Sequence, residues 1–156
     1  MKHEIEIFKS GTLPALDLDR CVKLLDEGGA VNSVSARAEL PLAPVVAVHR
    51  HDAIIVGVGA IKQERNWYAQ TISERSGFEL PADSYELGYV ATAPTHVGRG
   101  ISKSITAKLL AEFLARPLFA TTASLYMKKT LRQAGFQQKG HMWRGKKEQL
   151  SLWLLI

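Results

Sequence analysis

The sequence predicts a mixed α/β fold: one domain over residues 1–156, with a single β-sheet flanked by helices. Short β-branched runs alternate with longer segments whose apolar residues recur at helical spacing. Glycine and proline punctuate the borders between these segments. A chain of 156 residues that is 46% hydrophobic and 22% charged has the composition of one ordinary globular domain.

Residues 4–8 alternate charged and apolar side chains, the period of a half-buried strand. Gly11 to Pro14 turns the chain. Leu18, Cys21, Val22 and Leu25 then share a helix face until Gly28-Gly29 stops it. Residues 33–39 accommodate a short helix, ended by Pro41 and Pro44. Two apolar β-branched runs, 45–48 and 53–61, flank His49-Arg50-His51-Asp52, which reads as a hairpin turn rather than a metal site. Residues 62–84 are the least regular, polar with scattered aromatics, and read as a loop or short helix over the substrate side. Residues 85–92 form a strand.

After Pro94 the pattern changes. Ile101, Ile105, Leu109, Leu110, Phe113 and Leu114 make the stripe of an amphipathic helix. Residues 118–122 form a short strand beside Pro117. Residues 125–134 form a second helix, with Met127, Leu131 and Ala134 on one face and Gly135 as its cap. Residues 136–143 and 150–155 form a closing hairpin around Arg144-Gly-Lys-Lys. Trp143 and Trp153 there read as core or dimer packing. The last strand is free, on sequence grounds, to pair within the chain or across a homodimer.

Charge divides the chain unevenly: residues 1–94 carry a net −4 and residues 95–156 a net +9. A basic segment of this kind fits an anionic partner, either a phosphorylated cofactor or a nucleic acid. The single cysteine, Cys21, has no disulfide partner, reads as a small core residue and suits a cytoplasmic setting. The first residues lack the apolar run of a signal peptide, and no apolar stretch reaches the roughly 18 residues of a membrane span. No CxxC, HExxH or zinc spacing occurs, so no metal is expected.

The most informative stretch is the strand 85–92 followed by Ala-Pro-Thr-His-Val97-Gly98-Arg99-Gly100-Ile101-Ser102-Lys103. A strand passing through a glycine loop into a helix exposes free N–H groups at the positive end of the helix dipole, where pyrophosphate is a natural guest. Related templates fail. A dinucleotide fingerprint needs glycine where Lys103 stands, and neither a phosphate loop nor a nucleophile elbow can be drawn through Ile101-Ser102-Lys103-Ser104.

The strand, Thr92-Ala-Pro94, Gly98-Arg-Gly100-Ile101, the long helix, and the following strand, helix and Gly135-Phe136 resemble the GNAT (Gcn5-related) N-acetyltransferases, most clearly over residues 84–143. The family motif, Gln/Arg-x-x-Gly-x-Gly/Ala, falls on residues 97–102. Val97 and Ser102 depart from its first and last positions, while Gly100 matches. The resemblance implies an acyl-CoA N-acyltransferase fold and an acetyl-CoA cosubstrate. Its pantetheine would lie along Val90, Ala91 and Thr92, and its phosphates would be met by Val97, Gly98, Arg99, Gly100, Ile101, Ser102 and Lys103, with Lys128 or Lys129 as further bases. It also implies attack of a primary amine on the thioester. Such an amine is mostly protonated, and freeing its lone pair costs about 4 kcal/mol at neutral pH, so a base is expected. Glu86 is the first candidate, with His96 and Tyr89 behind it. The family often uses a tyrosine four residues before the Gly-Phe pair to protonate the departing thiolate. That position is Leu131 here, and Tyr126 is the nearest tyrosine, about 140° round the helix.

The acceptor implied is a small-molecule or peptide amine, or an aminoacyl-tRNA. The acidic first part favours a cationic amine; the basic second part keeps a tRNA-linked acceptor open. Two other readings stand beside it: a nucleic-acid-binding module, which lacks any interleaved aromatic surface, and an inactive CoA-binding domain.

Overall fold

The computed structural model describes residues 2–29, 31–63 and 66–156. Their contacts group into two compact units, Met1–Lys62 with Gly88–Leu114, and Gln63–Leu87 with Ala115–Ile156.

In the first unit β1 (His3–Lys9) pairs antiparallel with β2 (Val45–His51), and β2 with β3 (Ile54–Gln63). Residues 45–49 and 55–61 are buried without interruption, which is why these strands read as continuous apolar runs rather than alternating ones. The hairpin turn differs from the sequence expectation. It is Asp52-Ala53, both left-handed at φ 51° and 71°, the pair of conformations that matches hairpin twist. His49, Arg50 and His51 therefore belong to β2. Their polarity mimics a turn, but it serves contacts within the fold: Arg50 pairs with Glu6 at 2.9 Å and Asp17 at 2.8 Å, while His49 is buried.

Two helices precede β2. α1 (Ala15–Gly28) buries Cys21, Val22, Leu24 and Leu25 and ends on left-handed Gly29. Burial pushes the Cys21 thiol up to about 12, with Asp17 adding to the effect, so it stays protonated. α2 (Ser33–Glu39) is capped by Asn32, whose side chain accepts from the amides of Val34 and Ser35. α4 (Ile101–Glu112) lies on bare backbone of β3. A Cβ at Gly57 would sit 2.6 Å from Ile101 Cγ2, and one at Gly59 would sit 2.5 Å from Ile105 Cγ2. Ile101, Ile105 and Leu109 are buried. The expected stripe overruns, because the helix ends at Glu112 and Leu114 is 76% exposed.

The second unit begins with α3 (Asn66–Ser76), a regular helix where the sequence shows little pattern. β4 (Tyr85–Thr92) starts here and continues into the first unit. β5 (Leu118–Thr122) is parallel to β4, with Tyr85 opposite Leu118 and Glu86 opposite Phe119. α5 (Leu125–Gln133) is capped by Ser124 and followed by Gly135 at φ 101°. β6 (Gln137–Arg144) and β7 (Gln149–Leu155) are antiparallel, and β7 also pairs with β5, so the last strand pairs within the chain. Ile72, Leu80, Phe119, Trp143, Leu152 and Leu154 form the core of this unit. Trp153 is buried too; its indole donates to Ser151, whose hydroxyl donates to the Thr122 carbonyl.

The strands are hydrogen-bonded in the order β1-β2-β3-β4-β5-β7-β6, a mixed sheet with flanking helices. Among the described residues no helix is long and apolar enough to cross a membrane.

Candidate active site

β4 leaves its parallel pairing with β5 after Glu86. Tyr89 then adopts φ 53°, a left-handed conformation that a bulky residue holds only when its surroundings impose it. Those surroundings are visible in the first unit. The Tyr89 phenol donates to the carboxylate of Glu39 at the end of α2, and the Lys62 ammonium lies 4.2 Å from the ring centroid. Tyr89 is buried while Glu39 is half-buried, so this carboxylate keeps access to solvent.

Beyond Tyr89, Val90, Ala91 and Thr92 are partly buried. The chain is then pinned twice: Ala93 N–H donates to the Val56 carbonyl at 2.8 Å, and His96 N–H donates to the Ala93 carbonyl at 2.8 Å, closing the 3-10 turn Pro94–His96. Gly98 and Gly100 follow at φ 85° and 76°. A Cβ at either glycine would meet nothing within 4 Å. Glycine is needed here for the conformation of the chain, and the space beside the backbone stays open. Gly100 is the N-cap of α4 and offers no side-chain acceptor, so the first-turn N–H groups have no cap from it.

Arg99 and Lys103 are exposed, and no acid occupies the first turn of α4. Dipole and side chains therefore act with one sign, favouring an anion. Val97 is 68% exposed and Ile101 is buried against Gly57. Ser102 Oγ lies 3.2 Å from Thr92 Oγ1.

Val90, Ala91, Thr92, Val97, Gly98, Arg99, Gly100, Ile101, Ser102 and Lys103 thus fall in the first unit, on one continuous turn of chain. Glu86 and Tyr126 belong to the second. Glu86 is buried on β4, 4% exposed, and Tyr126 is exposed in the first turn of α5. Leu131, at the position where the resembled family often carries tyrosine, is fully buried core. Sequence reasoning passed over Glu39 and Lys62. Glu39 stands 50 residues from Tyr89, and no local spacing signals the pair.

No family model matches the chain, and no curated protein matches it in sequence. Solved structures do match in fold. An acyl-CoA N-acyltransferase from Pseudomonas aeruginosa superposes with a TM-score of 0.72 at 11% identity, covering 99% of this chain and 100% of that one. YncA of Salmonella typhimurium, solved with its cofactor acetyl-CoA, gives 0.67 at 14%, covering 97% and 93%. Diaminobutyrate acetyltransferase EctA from Paenibacillus lautus, solved with L-2,4-diaminobutyric acid and coenzyme A, gives 0.64 at 14%, covering 98% and 95%. With its strand order, its glycine loop and these superpositions, the chain has the fold of the GNAT-family acetyltransferases.

Proposed function

We propose that the protein is an acetyl-CoA-dependent N-acetyltransferase acting on a primary amine. The observation that carries this reading is the pair of left-handed glycines, Gly98 and Gly100, opening α4 with free space beside both. A pyrophosphate fits such a cradle: the backbone is unshielded, the helix dipole points at it, and Arg99 and Lys103 add positive charge. Acetyl-CoA supplies an activated thioester when bound. Backbone groups of Val90, Ala91 and Thr92 would align the pantetheine and polarise the thioester carbonyl.

Glu86 is the residue we assign to the amine proton, through water where the amine does not reach it. Tyr126 is the hydroxyl we assign to the departing sulfur. A thiolate whose thiol has a pKa of about 8.5 also leaves without an acid, so Tyr126 contributes less than Glu86. The net −4 of residues 1–94 supports a small cationic amine as acceptor, as does the diamine bound by one structural neighbour.

Calorimetric titration with CoA, followed by a screen of diamines and amino acids for acetyl transfer, tests this reading. Micromolar CoA affinity and turnover of a cationic amine are expected. Absence of CoA binding would remove it.

A further inference from the structure

Four of the five histidines meet in the first unit, and the proposed chemistry uses none of them. His3 and His51 are opposite residues on β1 and β2, and their rings stack at 4.2 Å and 15°. His49 Nε2 lies 3.0 Å from His3 Nδ1, and His96 Nε2 lies 2.8 Å from His51 Nδ1. Stacked rings cannot aim their in-plane lone pairs at one ion. Accordingly, no group of three or more ligating side chains is arranged for a metal among the described residues. The short N···N distances mark shared protons instead.

The tautomers of His51 and His96 follow from the partners of each ring. With the Thr95 hydroxyl donating to His96 Nδ1 at 2.8 Å, the His96 proton sits on Nε2 and His51 Nδ1 is the acceptor, while His51 Nε2 lies 3.5 Å from Asp52 Oδ2 and is buried without a hydrogen-bond partner. In the other pair, His49 Nδ1 is buried with no hydrogen-bond partner, and His49 Nε2 and His3 Nδ1 share one proton across 3.0 Å. With one proton on each ring every short contact is satisfied. Each N–H···N contact survives one added proton per pair but not two, because two imidazolium N–H groups would then face each other.

His96 ends the turn that leads straight into Gly98 and Gly100. We propose that His51 and His96 form a proton-sharing clasp that positions this turn on β2, making ligand affinity at the glycine loop depend on the protonation of the cluster. The inference rests on the CoA reading of the loop, and His51 and His96 are positioning residues in it.

His3 on β1, His49 and His51 on β2, and Arg99 beyond the turn surround the cluster, and the Asp52 carboxylate in the hairpin turn lies 3.5 Å from His51 Nε2. Arg50 is engaged by Glu6 and Asp17. Burial, then His3, His51 and His96, holds His49 below the usual imidazole range; desolvation, then Arg99, His51 and His3, does the same to His96. The clasp is therefore closed at neutral pH and opens on acidification.

Calorimetric CoA titration at pH 7.5 and pH 5 of wild type, His96→Ala and His96→Gln tests the clasp, since Gln keeps a donor at the Nε2 position but does not titrate. His96→Ala should bind about tenfold more weakly at pH 7.5, the scale of one net hydrogen bond. His96→Gln should stay within about twofold of wild type there and lose most of the decline that wild type shows at pH 5. Unchanged affinity in His96→Ala, or an undiminished acid decline in His96→Gln, would overturn the proposal. If wild type bound no CoA at either pH, the CoA reading alone would fall. Hydrogen exchange at the amide of residue 96 then decides the clasp: protection lost in His96→Ala and regained in His96→Gln supports it, and equal protection in all three overturns it.

Discussion

The hydroxyl oxygens of Thr92 and Ser102 lie 3.2 Å apart, joining the end of β4 to the first turn of α4 across the glycine loop. Ser102, where the family motif has glycine or alanine, thus spends its hydroxyl on its own chain. A serine at this position is compatible with a phosphate site because its polar atom already has a partner.

That contact yields the first prediction. Thr92→Val and Ser102→Ala should each cost about 1 kcal/mol of stability. The double variant should cost less than the sum of the two, since the second change removes a contact already lost. CoA affinity should move little in Ser102→Ala. Urea unfolding of the cycle checks the coupling; strictly additive losses would show that the contact carries no energy.

Gly100 supports a sharper separation of fold from binding. Nothing crowds a Cβ there, but φ 76° strains any side chain-bearing residue by about 1–2 kcal/mol. Gly100→Val should therefore remain folded, with a lower melting temperature, while CoA binding is abolished by the side chain intruding on the backbone cradle. Unaltered affinity in a folded Gly100→Val protein would place the anion elsewhere.

For Glu86, replacement by Gln keeps the shape of the side chain while removing the basic oxygen. Turnover should drop by roughly 10²–10⁴-fold with CoA affinity almost unchanged. The pH–rate profile decides the matter: a wild-type shape and height in Glu86→Gln would shift the role to the solvent-accessible Glu39 carboxylate that accepts from Tyr89.

Stability should also vary with pH in a direction set by His49. Its folded-state pKa lies below the ordinary 6.5 because of burial and three neighbouring histidines. Between those two values the unfolded chain binds more protons than the folded one, so stability is fully present above about 6.5 and falls as pH drops toward the folded value. Denaturation midpoints measured from pH 7.5 to 5.5 should decline, and the slope should be shallower in His49→Gln. Identical slopes would mean that other groups dominate the acid limb.

Several elements were legible from local pattern alone. The helix at 33–39 and the strands at 85–92 and 118–122 have the bounds the sequence predicts, because proline, asparagine and β-branched residues act on their immediate neighbours. α3 was not legible. Among its described side chains only Ile72 and Ser76 are buried, and Trp67 is 61% exposed, so there is no apolar stripe to read. The histidines of β2 were misplaced for a related reason: their polarity resembles a turn until three strands or turns bring their rings together. The glycine loop was legible because left-handed backbone leaves its mark on residue type at one position. The Tyr89–Glu39 contact was not, since it depends on two elements far apart in the chain.

The bare backbone at Gly57 and Gly59 gives α4 a second kind of constraint. With no side chains on the strand between them, Ile101 and Ile105 of the helix fill the space beside Gly57 and Gly59, with Leu109 close to Gly59, so these positions share one volume. Across diverged sequences of this fold a larger residue at 57 or 59 would be tolerated only alongside a smaller one at 101 or 105. The glycine loop is thus held by packing that lies behind it, and a change in that packing would alter the site without touching any residue that faces a ligand.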